Sequence, residues 1–225
     1  MPRLARAFTR TDCYHALSRG NEKATIFYDD NDYADFVDLM DRASARHPIE
    51  LFAYCLMPNH FHFAVRASPP RSLSRWMHTL LTSHSQRFRA KYGGAGHVWQ
   101  GRYKTFAVQQ DEHLMRVLRY VERNPVTGGF VRRAEDWPWS SARERHFSLA
   151  RVSKAPVSLP PAADWLAWVN EALSERELHR LRENTTKGTP YGDASWIAET
   201  VNALGLGATM RPRGRPRTTL SPRAK

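Results

Sequence analysis

Two short apolar runs, IELFAYCL (49–56) and HFHFAV (60–65), are separated only by Met57-Pro58-Asn59. Each is too short and too evenly apolar for a free amphipathic helix, and the Pro-Asn punctuation between them reads as a hairpin. A hairpin joins its strands directly, so a sheet built around it is antiparallel at that point. The flanking segments add to this nucleus. CYHALS (13–18) has the apolar density of a strand and is broken by Arg19-Gly20-Asn21. In 31–47, Tyr33, Phe36, Val37 and Met40 fall at i, i+3, i+4 and i+7, a helical stripe that closes before Pro48. Residues 72–92 repeat such a stripe through Leu73, Trp76, Met77, Leu80 and Leu81, ending at Gly93-Gly94. Residues 98–108 read as a strand. Residues 111–124 read as a third helix, striped by Leu114, Val117, Leu118 and Val121 and stopped by Pro125. The order βαββαβα predicts an α+β fold: a ferredoxin-like antiparallel sheet with packed helices.

After Trp137 the character changes. Residues 153–163 are rich in Pro and Ser and read as a linker. Three short helices are expected beyond it. The first, 164–173, carries Trp165, Leu166 and Val169 on one side. The second is opened by the capping box Ser174-Glu175-Arg176-Glu177, with Leu178 and Leu181 inside. The third, 193–204, holds Trp196, Ile197, Thr200, Val201 and Leu204. The end, RPRGRPRTTLSPRAK from Arg211, has six basic residues, three prolines and no acid, too polar to bury a core. The expected organisation is therefore a main domain over 1–150, a linker over 151–163, a helical extension over 164–207 and a disordered basic tail over 208–225.

Thirty-four Lys plus Arg against twenty-two Asp plus Glu leave a net charge of +12 on 225 residues, an excess that seeks a polyanion. Cys13 and Cys55 show no CxxC spacing, and no N-terminal stretch has the pattern of a secretory signal. No run approaches the ~18 consecutive apolar residues needed to cross a bilayer. A cytoplasmic protein that meets nucleic acid is expected, with no membrane partner.

Alternation along a strand places His60 and His62 on one face and Phe61 and Phe63 on the other. The phenylalanines can enter a core while two imidazoles, about 7 Å apart by Cα, stand on the open face within reach of one divalent ion. Two half-exposed sheet histidines would show the same pattern. On the third helix Tyr120 and Asn124 lie one turn apart, on a face that borders the apolar stripe. Taken singly, that tyrosine reads as amphipathic packing and that asparagine as a helix-end residue. Trp99-Gln100-Gly101-Arg102-Tyr103-Lys104 interleaves aromatics with cations, the composition of a nucleic-acid surface, with Arg102 and Lys104 stronger candidates than Trp99. Arg19, beside Asn21 in its turn, is a further phosphate candidate. Arg211, Arg213, Arg215 and Arg217 alternate with Pro and Gly in the manner of a minor-groove hook, or supply non-specific backbone attraction.

Together these motifs resemble the single-tyrosine HUH transposases, and within them the branch associated with repetitive extragenic palindromes (REP). The similarity rests on His60-Phe61-His62 after Met57-Pro58-Asn59 and on Arg119-Tyr120-Val121-Glu122-Arg123-Asn124-Pro125-Val126. It extends to Tyr14-His15, Ser18-Arg19-Gly20-Asn21, Trp99-Gln100-Gly101-Arg102-Tyr103 and Trp139-Ser140-Ser141. It is dense from Cys13 to Phe147. The departures are Glu122-Arg123 and Thr127-Gly128-Gly129. The resemblance implies Mg²⁺ or Mn²⁺ held by His60, His62 and the amide oxygen of Asn124. It also implies attack by Tyr120 on a phosphodiester of single-stranded or hairpin DNA, through a 5′-phosphotyrosine intermediate and without a nucleotide cofactor. Gln100, Arg102, Tyr103, Lys104, Arg19 and Asn21 would contact the DNA. A monomer is favoured, with a dimer the alternative. Two other functions compete: a non-catalytic repeat-binding regulator, and a metallonuclease in which water attacks. The gap 185–192 is too long for a usual helix-turn-helix link, which counts against a repressor module.

Overall fold

The computed structural model describes residues 13–67, 69, 71–147 and 151–210. Strands β1 (Cys13–Arg19), β2 (Ile49–Met57), β3 (His60–Ala67) and β4 (Lys104–Val108) form one antiparallel sheet in the order β2-β3-β1-β4. With α1 (Asp30–Arg46), α2 (Ser72–Tyr92) and α3 (Glu112–Thr127) between and after them, this is the ferredoxin-like α+β arrangement that the pattern predicts. The strand register sets Leu17 opposite His62 and Arg19 opposite His60.

Both faces of the sheet are covered. Ala16, Phe61 and Phe63 pack with Phe36, Met40, Trp76 and Leu80, which belong to α1 and α2. Cys13, Ala53, Cys55 and Phe106 pack on the opposite face with Val117, Leu118 and Val121 of α3. The face that carries His60 and His62 is therefore roofed by α3 and not open, a correction to the sequence reading.

Two further expectations are corrected. The strand expected over 98–108 is paired only from Lys104, because Trp99 and Tyr103 turn into the α1/α2 core and Gly101 takes a left-handed φ of 73°. Trp99 keeps one isolated bridge, to Gly20. A side chain at Gly20 would bring its Cβ to 2.2 Å from the Ala24 carbonyl oxygen, so the turn that ends β1 requires glycine. The other correction concerns α3, which does not stop at Pro125 but runs on to Thr127. Proline removes one helical donor, and the Asn124 side chain compensates. Its Nδ2 donates to the Tyr120 carbonyl at 2.7 Å and to the Val121 carbonyl at 3.4 Å.

Helices α4 (Ser141–His146), α5 (Ala162–Asn170), α6 (Glu175–Lys187) and α7 (Ala194–Ala203) follow. The capping box forms: Glu177 N donates to Ser174 Oγ and Ser174 N to the Glu177 carboxylate. Trp165, Leu166, Val169, Leu181 and Tyr191 lie in the same apolar cluster as the α3 stripe, so α5 and α6 share a core with the sheet. The linker expected over 151–163 is irregular only to 161, where α5 takes over, and it is anchored, with Ser153 N donating to the Leu51 carbonyl and Ala155 buried. Among the described residues no helix is long and apolar enough to cross a membrane.

Glu122 fastens this packing. Its side chain is fully buried and accepts from Ser141 Oγ at 2.6 Å, Arg145 Nε at 2.8 Å and Trp165 Nε1 at 2.6 Å. One turn away, Arg119 stacks over Trp168 and donates to the Glu171 carbonyl, while Arg123 donates to Val169; both cap the C-terminal end of α5. Removing one partner of a buried ion pair strands the other, at about 3–5 kcal/mol. Glu122→Ala is therefore expected to lower the unfolding free energy by an amount of that order, read from the urea midpoint and slope. A variant as stable as wild type would show that the network contributes no net stability.

Candidate active site

A cleft of about 490 Å³ opens where the ends of β1 and β3 meet α3, the loop before β4 and α6. Its wall includes His60, His62, Tyr120 and Asn124, and also Arg19, Gln100, Arg102 and Lys104. Eight of the residues predicted from sequence thus meet in one place. Asn21 lines a separate groove and Tyr103 is buried behind the cleft, so neither joins it. Arg211, Arg213, Arg215 and Arg217 lie outside the described residues.

Each histidine has one ring nitrogen engaged. Asn59 donates through Nδ2 to the Lys23 carbonyl, which turns its Oδ1 toward His60, and His60 Nδ1–H donates to that oxygen at 2.6 Å. His62 Nδ1 lies 2.9 Å from Nε2 of His15, a buried residue of β1. With the proton on His62 Nδ1, the Nε2 lone pairs of both His60 and His62 remain available. Burial lowers the pKa of all three. His15 falls to about 3 and His60 to about 4, the latter helped by the Arg19 charge, and His62 falls well below the ordinary value. They are neutral imidazoles at pH 7, the form that binds metal. The rings of His60 and His62 are 5.0 Å apart, and the Tyr120 ring is 5.5 Å from that of His62.

Among the described residues no group of three or more His, Cys, Asp or Glu side chains is placed to hold a metal ion. A third protein ligand would have to be an uncharged oxygen. Asn124 fits that role: its Nδ2 is committed to the helix backbone, so Oδ1 is its free acceptor in the cleft wall. Burial also raises the Tyr120 pKa, against which the charges of Arg182 and Arg19 act.

Several contributors were given no role by the sequence reasoning, His15 among them although it lies in the Tyr14-His15 match. His15 belongs to a strand that reads as apolar, and its role appears only when β1 pairs with β3. Arg182, with Thr185 and Thr186, reaches the cleft from α6, for which no local pattern gives a cue. Phe130, 51% exposed at the rim, follows Gly128-Gly129, noted in the sequence only as a departure from the family pattern. Arg19 gains weight as well, because its Nε is buried without a hydrogen-bond partner among the described residues. No carboxylate lines the cleft among the described residues.

A histidine pair facing a helical tyrosine in a cationic cleft, without a carboxylate among the described residues, defines a site suited to a polyanion such as nucleic acid. The family model described as "Transposase IS200 like" matches residues 10–124, just over half of the chain, and the chain belongs to that family. It is similar to a protein of Haemophilus influenzae described as a REP-associated tyrosine transposase, with 28% identity over 121 residues, 48% of this chain and 66% of the relative. A REP-associated tyrosine transposase of Escherichia coli is 26% identical over 96 residues, 42% of this chain and 54% of that protein. The matches thus span less than two thirds of these relatives' length. A solved structure of a REP-associated tyrosine transposase bound to a REP hairpin shares the fold, with TM-score 0.53 and 18% identity. That likeness covers 72% of this chain and 96% of the other.

The buried histidines make stability pH-dependent. Above their unfolded value of about 6.5 they are neutral in both states. As pH falls toward about 4, the unfolded chain takes up protons that the native histidines refuse, so stability is lost. His84, packed against Phe36 and Trp99 and also lowered to about 4, adds to the effect. Each such group removes up to about 1.4 kcal/mol per pH unit in that window. Thermal unfolding at pH 7.5 and pH 5 should show a clearly lower Tm at pH 5. An unchanged Tm would contradict neutral burial of these rings.

Proposed function

We propose that this chain is a metal-dependent single-tyrosine DNA endonuclease and strand transferase that cleaves and rejoins single-stranded or hairpin DNA at repetitive extragenic palindromes. The observation that carries the reading is the meeting of His60 and His62 from β3 with Tyr120 and Asn124 from α3 in one cleft ringed by Arg19, Arg102, Lys104 and Arg182. The palindromic substrate class is carried over from the relatives' descriptions and from the hairpin in the solved structure.

Arg19, Arg102, Lys104 and Arg182 draw the DNA backbone into the cleft and pair with its phosphates. His60, His62 and Asn124 would hold Mg²⁺ or Mn²⁺, which supplies Lewis-acid polarisation of the scissile phosphate. Tyr120 Oη attacks phosphorus, and the bond to the 3′ oxygen breaks. A 5′-phosphotyrosine forms, and the 3′ oxygen takes a proton from solvent and leaves as a hydroxyl. The phenol's own proton passes to solvent, with the phenolate favoured by Arg182 and Arg19 in place of a carboxylate base. The phosphodiester energy is retained in the tyrosyl linkage, so attack by a 3′-hydroxyl rejoins the strand without ATP. That the tyrosine and the histidine pair come from one chain, with rings 5.5 Å apart, supports a monomer as the working form in this reading. A cytoplasmic location belongs to the same reading, because its proposed substrate is genomic DNA.

The test is incubation of labelled palindromic hairpins with Mg²⁺ or Mn²⁺, read as a protein–DNA adduct on a denaturing gel. The adduct is expected with wild type, absent in Tyr120→Phe, and lost in the His60→Ala, His62→Ala double variant. Cleavage that persists in Tyr120→Phe would identify water as the nucleophile. Tight binding without any adduct would identify a non-catalytic regulator.

Arg182 yields a separate expectation. Arg182→Gln should slow adduct formation by at least about tenfold, the loss expected when one charge-stabilising group is removed. It should also move the rate–pH profile to higher pH, with partial rescue by Arg182→Lys. An unchanged profile would confine Arg182 to packing.

A further inference from the structure

Phe130 leaves half of an apolar ring in water at the rim of the active-site cleft. Of the large apolar side chains that stand exposed among the described residues, it is the one that lines the cleft. Its seat is closely built. After α3 the chain turns back on itself: Gly128 N donates to the Asn124 carbonyl at 2.8 Å, Gly129 N to the Val126 carbonyl at 3.0 Å and Phe130 N to the Pro125 carbonyl at 2.9 Å. Gly129 takes a left-handed φ of 73° in this turn. The ring folds back over Gly128, where a Cβ would lie 2.9 Å from Phe130 Cδ2 and 3.0 Å from Cε2. The Gly128 backbone is right-handed, φ −80° and ψ −4°, and open to any residue, so glycine is needed there for space and not for conformation. Trp137 backs the ring at 5.6 Å between centroids and is itself held by Nε1 donating to the Leu56 carbonyl at 2.8 Å. Gly128 belongs to Thr127-Gly128-Gly129, one of the departures from the family pattern, so the seat is a feature of this chain.

Tyr120, Asn124, Thr127 and Gly128 line the cleft at i, i+4, i+7 and i+8 of α3 and the turn that ends it. At 1.5 Å per residue, the eight steps from the tyrosine to the seat of the ring span about 12 Å, the length of a few nucleotides. An aromatic ring fixed on one side to the protein and open to water on the other, in a wall of cations, suits a nucleobase: the ring stacks while the cations take the flanking phosphates. We infer that Phe130 is a stacking platform for one base within about three nucleotides of the phosphate that Tyr120 attacks, and that Gly128 provides the space in which the platform stands. The inference rests on the proposed reaction and adds to it a residue that sets the position of the strand along α3.

The test first maps the cleavage position on a palindromic hairpin with wild type, and then measures binding in the Tyr120→Phe background, where no cleavage intervenes. The probes are the intact oligonucleotide and copies in which each nucleotide within about three of that position is made abasic in turn. Phe130→Ala should weaken binding of the intact probe about fivefold or more, the loss expected for one base–aromatic stack, and Phe130→Trp should restore it. On one abasic copy the penalty of Phe130→Ala should vanish, while on the others it persists. Gly128→Ala, which crowds the ring without deleting it, should reproduce the loss and add nothing to Phe130→Ala. Thermal unfolding followed by circular dichroism checks that the variants are folded. A penalty that is equal on every abasic copy, or full affinity in Phe130→Ala, would overturn the platform, and full affinity in Gly128→Ala would overturn its seat. Each of these results leaves the wild-type adduct in place, so the platform fails alone. If wild type forms no adduct, the functional reading fails and takes the platform with it.

Discussion

The site depends on β3 having two buried faces of different chemistry. Phe61 and Phe63 fill the core under α1 and α2, and the same alternation commits His60 and His62 to the side covered by α3. An imidazole in that position is dry, and dryness holds it neutral. Neutrality would be only a burden if the rings were unpartnered. His15 and Asn59 hold one nitrogen of each ring, so burial is reconciled with hydrogen bonding and a lone pair is kept for the cleft. Two strands and a turn therefore fix the orientation of both rings before any ligand arrives.

Helix α3 does the corresponding work for the tyrosine. One side, Val117, Leu118 and Val121, packs on the sheet; a second, Arg119, Glu122 and Arg123, grips α4 and α5; the third presents Tyr120 and Asn124 to the cleft. A helix held on two sides has little freedom to roll, so the third is positioned by the other two. Glu122-Arg123, a departure from the family's usual pattern, belongs to the gripping side. In this chain the residues beyond the matched family segment help to hold α3 in place, and through Arg182 they add a cation to the cleft.

Legibility in the sequence followed periodicity. The period of two placed His60 and His62 together, and the 100° step placed Tyr120 and Asn124 together, because both relations are local. The α2 limits, the capping box at Ser174 and the hairpin at Met57-Pro58-Asn59 were readable for the same reason. Residues 98–103 misled because Trp99 and Tyr103 have strand-like composition, yet their burial beneath the helices outweighs edge pairing. Pro125 misled because a side-chain donor one residue earlier, Asn124 Nδ2, reaches the Val121 carbonyl that the missing N–H exposes. His15 and Arg182 were hidden because their roles depend on contacts across 47 and 62 residues of chain, to His62 and Tyr120 respectively. Nothing in either local pattern records such pairings.

The charge pattern of the cleft bears on which chemistry suits it. Besides Tyr120, its titratable walls are arginine, lysine and neutral histidine, without a carboxylate among the described residues. A hydrolytic nuclease needs a group that takes a proton from water at the moment of attack. A cleft lined by cations disfavours that role for its histidines and favours anions: phosphate, phenolate and the departing 3′ oxygen. In the proposed reaction this asymmetry protects the tyrosyl linkage, since water is poorly activated while a DNA 3′-hydroxyl is delivered on a backbone that the cations already hold. The same composition that draws DNA in thus biases the intermediate toward rejoining and away from hydrolysis, as strand transfer requires.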